Sequence, residues 1–190
     1  MNKDQELQSR IELIEEMINS TKSNLSGTSF AYLLWGWLVL VASLSHYVLM
    51  YIMHYEHPYI AWSLMFVGGI VHFIYSWKYE NTGGTKSYSD TALAGVWIAF
   101  IISIFLLLLA MYAIGPSNVY PIFIMLYAMA IFATGYIIAF KPFIYGAFSN
   151  WIIAAICLFQ PFQYQLLLLA LAILLSYIIP GYMLRAKFGK

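Results

Sequence analysis

Histidine is the side chain in this sequence with the widest chemistry, because a neutral imidazole can hold a metal ion or carry a proton near neutral pH. His46 and His72 each stand inside a long apolar run, where an ionisable group is a functional candidate by default. Counted along the helices that would carry them, the two rings differ in depth by about 14 Å at helical rise. One metal ion or one haem clamped between them does not fit that stagger. A proton path suits it better, and the plainer alternative is an uncharged imidazole bonded to a neighbouring hydroxyl or carbonyl.

His54, Glu56 and His57 form a second constellation, two imidazoles and a carboxylate of the kind zinc accepts. They straddle a helix end and a short turn, with no HExxH helix, so ordinary interfacial polarity competes with metal binding. No cofactor is expected. The lone Cys157 excludes an intrachain disulfide and a CxxC cluster. The Gly83-Gly84 pair lacks the frame of a phosphate loop, and there is no GxSxG elbow and no mid-span carboxylate to orient a histidine. Catalytic and cofactor-binding residues are therefore assigned to none.

Further polar residues recur at helical spacing within apolar runs: Ser43 and His46, then His72 and Ser76, then Asn150, then Gln165 and Ser176. Facing lipid, they would be costly, so these faces should turn inward, to line a cavity or proton path or to hydrogen-bond across helices. Gly95, Ala99 and Ser103 follow the small-xxx-small spacing of close helix packing.

The elements that must carry these residues follow from composition. Of 190 residues, 63% are hydrophobic and 9% charged, and mean hydropathy is +0.78. Soluble domains sit near 45–50% and about 25%. The main solvent of this chain is lipid. A helix needs about 20 residues to cross the hydrocarbon, and six stretches qualify: roughly 29–53, 58–77, 91–114, 120–140, 143–159 and 164–183. The runs lack the two-residue alternation of a barrel, and an open sheet cannot leave its edges in hydrocarbon. The expected fold is all-α, a polytopic membrane bundle of six transmembrane helices in three hairpins. The first run is too long for a signal-peptide core and should remain as an anchor.

Charge sets the sidedness. Lys3, Arg10, Lys22, Lys78, Lys86, Lys141, Arg185, Lys187 and Lys190 all fall on one face of a six-span chain. The positive-inside bias then places both termini in the cytoplasm of a multi-pass cell-membrane protein. Ahead of the first span, Leu7, Ile11, Ile14 and Ile18 mark one face of an amphipathic cytoplasmic helix. Segment 3–21 is thus a candidate contact for a second copy or a protein partner. The division is 1–28 for this helix and its hinge, 29–184 for the membrane domain and 185–190 for a basic tail. Lipids are the expected surroundings, and a net charge of +1 argues against nucleic acid. Three functions fit: a non-enzymatic sensor, accessory or organising module; transport of a small uncharged or weakly basic solute; and, weakest, a histidine-dependent enzyme acting on lipid.

Overall fold

The computed structural model describes residues 29–80 and 88–188. The amphipathic segment 3–21, its hinge, the Gly83-Gly84 turn and Lys190 lie outside the described residues. The described residues form six helices. α1 is Ser29–Ile52, with its last turn, Val48–Ile52, widened into a π turn. A 3-10 turn, Pro58–Ser63, leads into α2, Leu64–Glu80. α3 is Tyr88–Ile114, α4 Pro116–Ile137 and α5 Lys141–Cys157. α6 runs over Phe162–Ile173, opens into a π turn at Leu174–Ile178 and resumes over Ile179–Phe188.

Five of the six are long and apolar enough to cross a membrane. The exception, α5, has 17 residues, about 26 Å of helix. An all-helical chain with this many apolar helices is a multi-pass membrane protein.

Proline decides where several helices begin. Pro116 and Pro142 sit in the first turns of α4 and α5, where a missing N–H costs nothing. α4 therefore starts four residues before the expected Tyr120, immediately after Gly115, whose φ of +81° suits glycine. Glycine alone does not interrupt these helices: α2 runs unbroken through Gly68-Gly69, and α4 through Gly135. Among the described residues the irregularity lies in the two π turns. The second precedes Pro180, whose ring would clash with the carbonyl four residues back, that of Ser176 inside the π turn. Asp90 lies in the first turn of α3 rather than ahead of it, where its charge complements the helix dipole.

The core lies between α1, α4, α5 and α6. In the most hydrophobic stretch of α4 and of α6, 50% and 56% of residues are buried, against 11% in α2 and none in α3. α5 packs most extensively on α4, with Phe132 against Phe148 and Trp151, so the tightest pairing crosses the short connection at Lys141. On its other side Gly146 meets α6, where an added Cβ would come within 2.8 Å of the Ser176 Cα. α1 returns to α6 through Gly36, which faces Tyr177 and Ile178. α2 leans on α1 in an antiparallel ladder. Phe30 stacks on Tyr75 at 4.0 Å, Leu38 lies over Gly68 and His46 meets Trp62, each step forward along α1 matching a step back along α2.

Pro121 lies inside α4 and is fully buried. Its missing N–H frees the carbonyl four residues earlier, that of Ser117. The side-chain amide of Gln165, on α6, donates to this oxygen at 2.9 Å. The same nitrogen lies 3.2 Å from the Cys157 carbonyl, which also accepts from the Gln160 N–H, and 2.9 Å from the Gln160 carbonyl just past the end of α5. One amide thus joins three segments. Gln165→Leu should destabilise the protein by about 1–3 kcal/mol in detergent unfolding, the cost of unpaired buried carbonyls. Pro121→Ala restores an N–H to Ser117 and should recover part of that loss. If Gln165→Leu costs the same with Pro121 as with Ala there, the amide is not replacing the missing bond.

Candidate functional site

The α1–α2 ladder explains how both intramembrane histidines are held. Trp62 Nε1 donates to His46 Nδ1 at 2.9 Å, and Trp35 Nε1 donates to His72 Nδ1 at 3.3 Å. The pairs are reciprocal, since α1 supplies one indole and one imidazole, and the 3-10 turn with α2 supplies Trp62 and His72. An Nδ1 that accepts a hydrogen bond carries no proton, so each ring is held in the neutral form protonated at Nε2. His46 is buried, edge-on to Trp62 and Phe162, whereas His72 is half-buried. Trp35 and His46 stand eleven residues apart on α1, which separates the two pairs by about 16 Å along the helix. The histidines are not brought together. A ring nitrogen already accepting from an indole is not open to a metal, and protonating it would expel that donor.

A second polar group joins α5 to α6. Asn150 Nδ2 donates to Ser176 Oγ at 3.0 Å, and Ser176 Oγ donates to the Ala172 carbonyl at 2.8 Å. Ser43 Oγ donates to the Leu166 carbonyl at 2.7 Å, tying α1 to α6 beside Gln165. Asn150, Gln165, Ser43 and Ser176 are all buried, and most of their donors are engaged by a neighbouring helix. Among the described residues, Asn150 Oδ1, Gln165 Oε1 and the Tyr177 hydroxyl have no hydrogen-bond partner.

A third group lies toward the opposite end of the bundle from His46. Trp97 Nε1 donates to the Tyr32 hydroxyl at 3.2 Å, which donates to Thr134 Oγ1 at 3.3 Å, which in turn donates to the Ala130 carbonyl at 2.8 Å. This relay links α3, α1 and α4. Around it Tyr32 packs tilted on Phe143 at 4.7 Å and edge-on to Tyr177 at 5.7 Å. Sequence analysis singles out none of Tyr32, Trp35, Trp62, Trp97, Thr134 and Tyr177. The usable signal was the pairing of each indole with a histidine at matching height across the first hairpin.

The remaining candidates sit elsewhere. Ser76 is half-buried on α2. Gly95 and Ala99 are exposed, and among the described residues nothing lies within 4 Å of where a Gly95 Cβ would stand, so this stripe packs against none of the described helices. α3 turns its other side inward instead, through Trp97 and Phe100, because the rings bury more surface than the small residues can. Ser103 bonds back to the Ala99 carbonyl at 2.8 Å. His54, Glu56 and His57 are exposed, and the His57 Nδ1 lies 2.9 Å from the Tyr59 hydroxyl. No cluster of three metal-ligating side chains forms among the described residues. Neither of the two principal surface grooves reaches the histidine pairs or Asn150.

Comparison of the chain with protein-family models, with curated proteins and with solved structures gives no match.

The histidine–tryptophan pairs should be measurable as couplings. A double-mutant cycle on His46→Phe and Trp62→Phe, read by unfolding in detergent, should give about 1 kcal/mol, within the range of buried interhelical bonds in membranes. The longer, less buried pair of His72 and Trp35 should give roughly half that. Equal couplings, or none at His46, would remove the ladder's polar component.

Proposed function

We propose that this chain is a non-enzymatic membrane module, a sensor, accessory or organising subunit, that crosses the bilayer six times as three hairpins with both termini in the cytoplasm. The even count includes α5, whose apolar length lies at the lower end of what a crossing requires. Its ends support that count. Lys141 starts it on the basic side, while Phe159, 86% exposed, lies just beyond its other end.

The observation that carries the functional reading is the use made of the interior polar groups. The side chains of Ser43, His46, Asn150, Gln165 and Ser176 bond to neighbouring helices or to backbone carbonyls. They act as fasteners between helices, which is what a scaffold needs and a solute pathway does not. The apolar outer faces of α2 and α3 suit lipid or a partner's helix. Segment 3–21 is the proposed cytoplasmic contact for a second copy or a partner.

A carrier for a small uncharged or weakly basic solute is the second reading. It draws on the unpartnered Gln165 Oε1 and on Asn150 Oδ1 and the Tyr177 hydroxyl, the last two at a π turn of the kind common at functional sites. Reconstituted vesicles separate the two. The module reading expects glycerol and methylamine to enter protein-bearing vesicles no faster than empty ones, while deletion of residues 1–24 abolishes cross-linking between copies or to a co-purifying partner. Uptake raised several-fold and abolished by Asn150→Leu would establish the carrier and sink the module.

A further inference from the structure

The bonds between helices divide by chemistry. Where α1, α4, α5 and α6 meet, they are made by the hydroxyls of Ser43 and Ser176 and the amides of Asn150 and Gln165, groups that keep the same charge through the neutral and mildly acid range. Between α1 and α2 they are made by imidazoles, His46 with Trp62 and His72 with Trp35. Among the described residues of the spans, acceptors that titrate near neutral pH thus stand only in the seam that holds α2.

Each indole donates to an Nδ1 that must be bare, so a proton there turns the acceptor into a donor and sets one N–H against another. The imidazolium so formed has no counter-ion in the spans, because positions 29–52, 58–77, 91–140 and 142–184 contain no Asp, Glu, Lys or Arg. His46 is faced by Trp62 and by Phe162 of α6, with Tyr120 of α4 against both rings, and His72 is faced by Trp35. Along their own helices the nearest titratable groups in sequence are Tyr47 and Tyr75. A charged ring among these neighbours is costly. Each ring lies six residues, about 9 Å, from an end of its span, His46 from Ile52 and His72 from Lys78. Turning out to the headgroups relieves the charge and takes the ring out of the seam. The seam is therefore complete where both imidazoles are neutral, and is lost as pH falls through their titration.

We propose that the α1–α2 seam is an acid-sensitive latch: protonation of His46 and His72 expels the Trp62 and Trp35 indoles and frees α2 from α1, while α1, α4, α5 and α6 stay packed. The movement is confined to α2 because it is lightly held, with 11% of its most hydrophobic stretch buried against 50% in α4 and 56% in α6. The latch adds regulation to the module proposed above and does not depend on its having a partner. It requires only that α1 and α2 lie in the bilayer.

The test uses the full chain in phosphatidylcholine nanodiscs, with spin labels on paired cysteines in a Cys157→Ala background. Val41→Cys and Ile70→Cys put one pair on the exposed faces of α1 and α2, and Met129→Cys with Ile152→Cys put a control pair on α4 and α5. Between about pH 8 and about pH 4.5, a span that covers the usual imidazole range, the α1–α2 separation should lengthen beyond its distribution at the higher pH and return on neutralisation, with the control pair unchanged. His46→Asn with His72→Asn keeps an acceptor oxygen on each side chain but takes up no proton there, and should hold the short separation throughout. An α1–α2 separation that does not change, a lengthening that persists in the Asn double variant, or an equal lengthening of the control pair would each overturn the latch. The chain with all native residues gives a second reading: the indole N–H resonances of Trp35 and Trp62 should shift reversibly over the same range, and resonances that stay fixed would also overturn it. Neither readout involves solute entry or partner binding, so the latch and the module reading fail separately.

Discussion

In hydrocarbon, a carbonyl or amide that loses its partner cannot turn to water, so every break in a helix's own hydrogen bonding must be repaired from within the protein. The bundle is organised around such repairs. Pro121 opens α4 at the Ser117 carbonyl, and the Gln165 amide of α6 closes it while reaching the frayed end of α5. Pro180 displaces the backbone of α6 into a π turn, and within that turn Ser176 both bonds its own helix and receives Asn150 from α5. These bonds are individually modest, about 0.6 kcal/mol on average in membranes. Their placement matters more than their sum, because each fixes which helix lies beside which.

The same constraint divides the molecule. Polar repairs concentrate where α1, α4, α5 and α6 meet, and that is where burial is complete, from Ile124 and Ile131 on α4 to Leu166 and Ile173 on α6. α2 and α3 carry rows of exposed Phe, Ile and Leu, among them Phe66, Phe105 and Leu109, which lipid solvates at no cost. α2 is held to α1 by two indole–imidazole bonds and a stacked ring pair, and α3 reaches the core through Trp97 and Phe100. The result is a packed group of four helices with α2 and α3 more lightly attached at its flank.

Much of this was legible in the sequence, and the boundary of legibility has a physical cause. Apolar length gave six helices, and polar spacing gave the faces of Asn150, Gln165, Ser43 and Ser176 that turned out buried. The plainer reading of the histidines, uncharged and hydrogen-bonded, describes their geometry, although the partners are indoles rather than hydroxyls or carbonyls. Periodicity identifies a face but not what lies opposite, so Trp35 and Trp62 are not legible as the partners of the histidines. Small-residue spacing likewise states that backbones could approach at Gly95 and Ala99, not that a helix of the same chain does. The partner of Gln165 was hidden for another reason: it is a backbone oxygen exposed by a proline 44 residues away, and no residue type announces it.

The proposed topology requires an even number of crossings, with α5 among them. Single cysteines in a Cys157→Ala background, labelled with a membrane-impermeant thiol reagent on intact cells, test this at the ends of its shortest helix. Glu56→Cys and Phe159→Cys should label from outside, and Lys141→Cys only after the membrane is opened. Labelling of Lys141→Cys and Phe159→Cys from the same face would show that α5 does not cross, and would contradict the arrangement described.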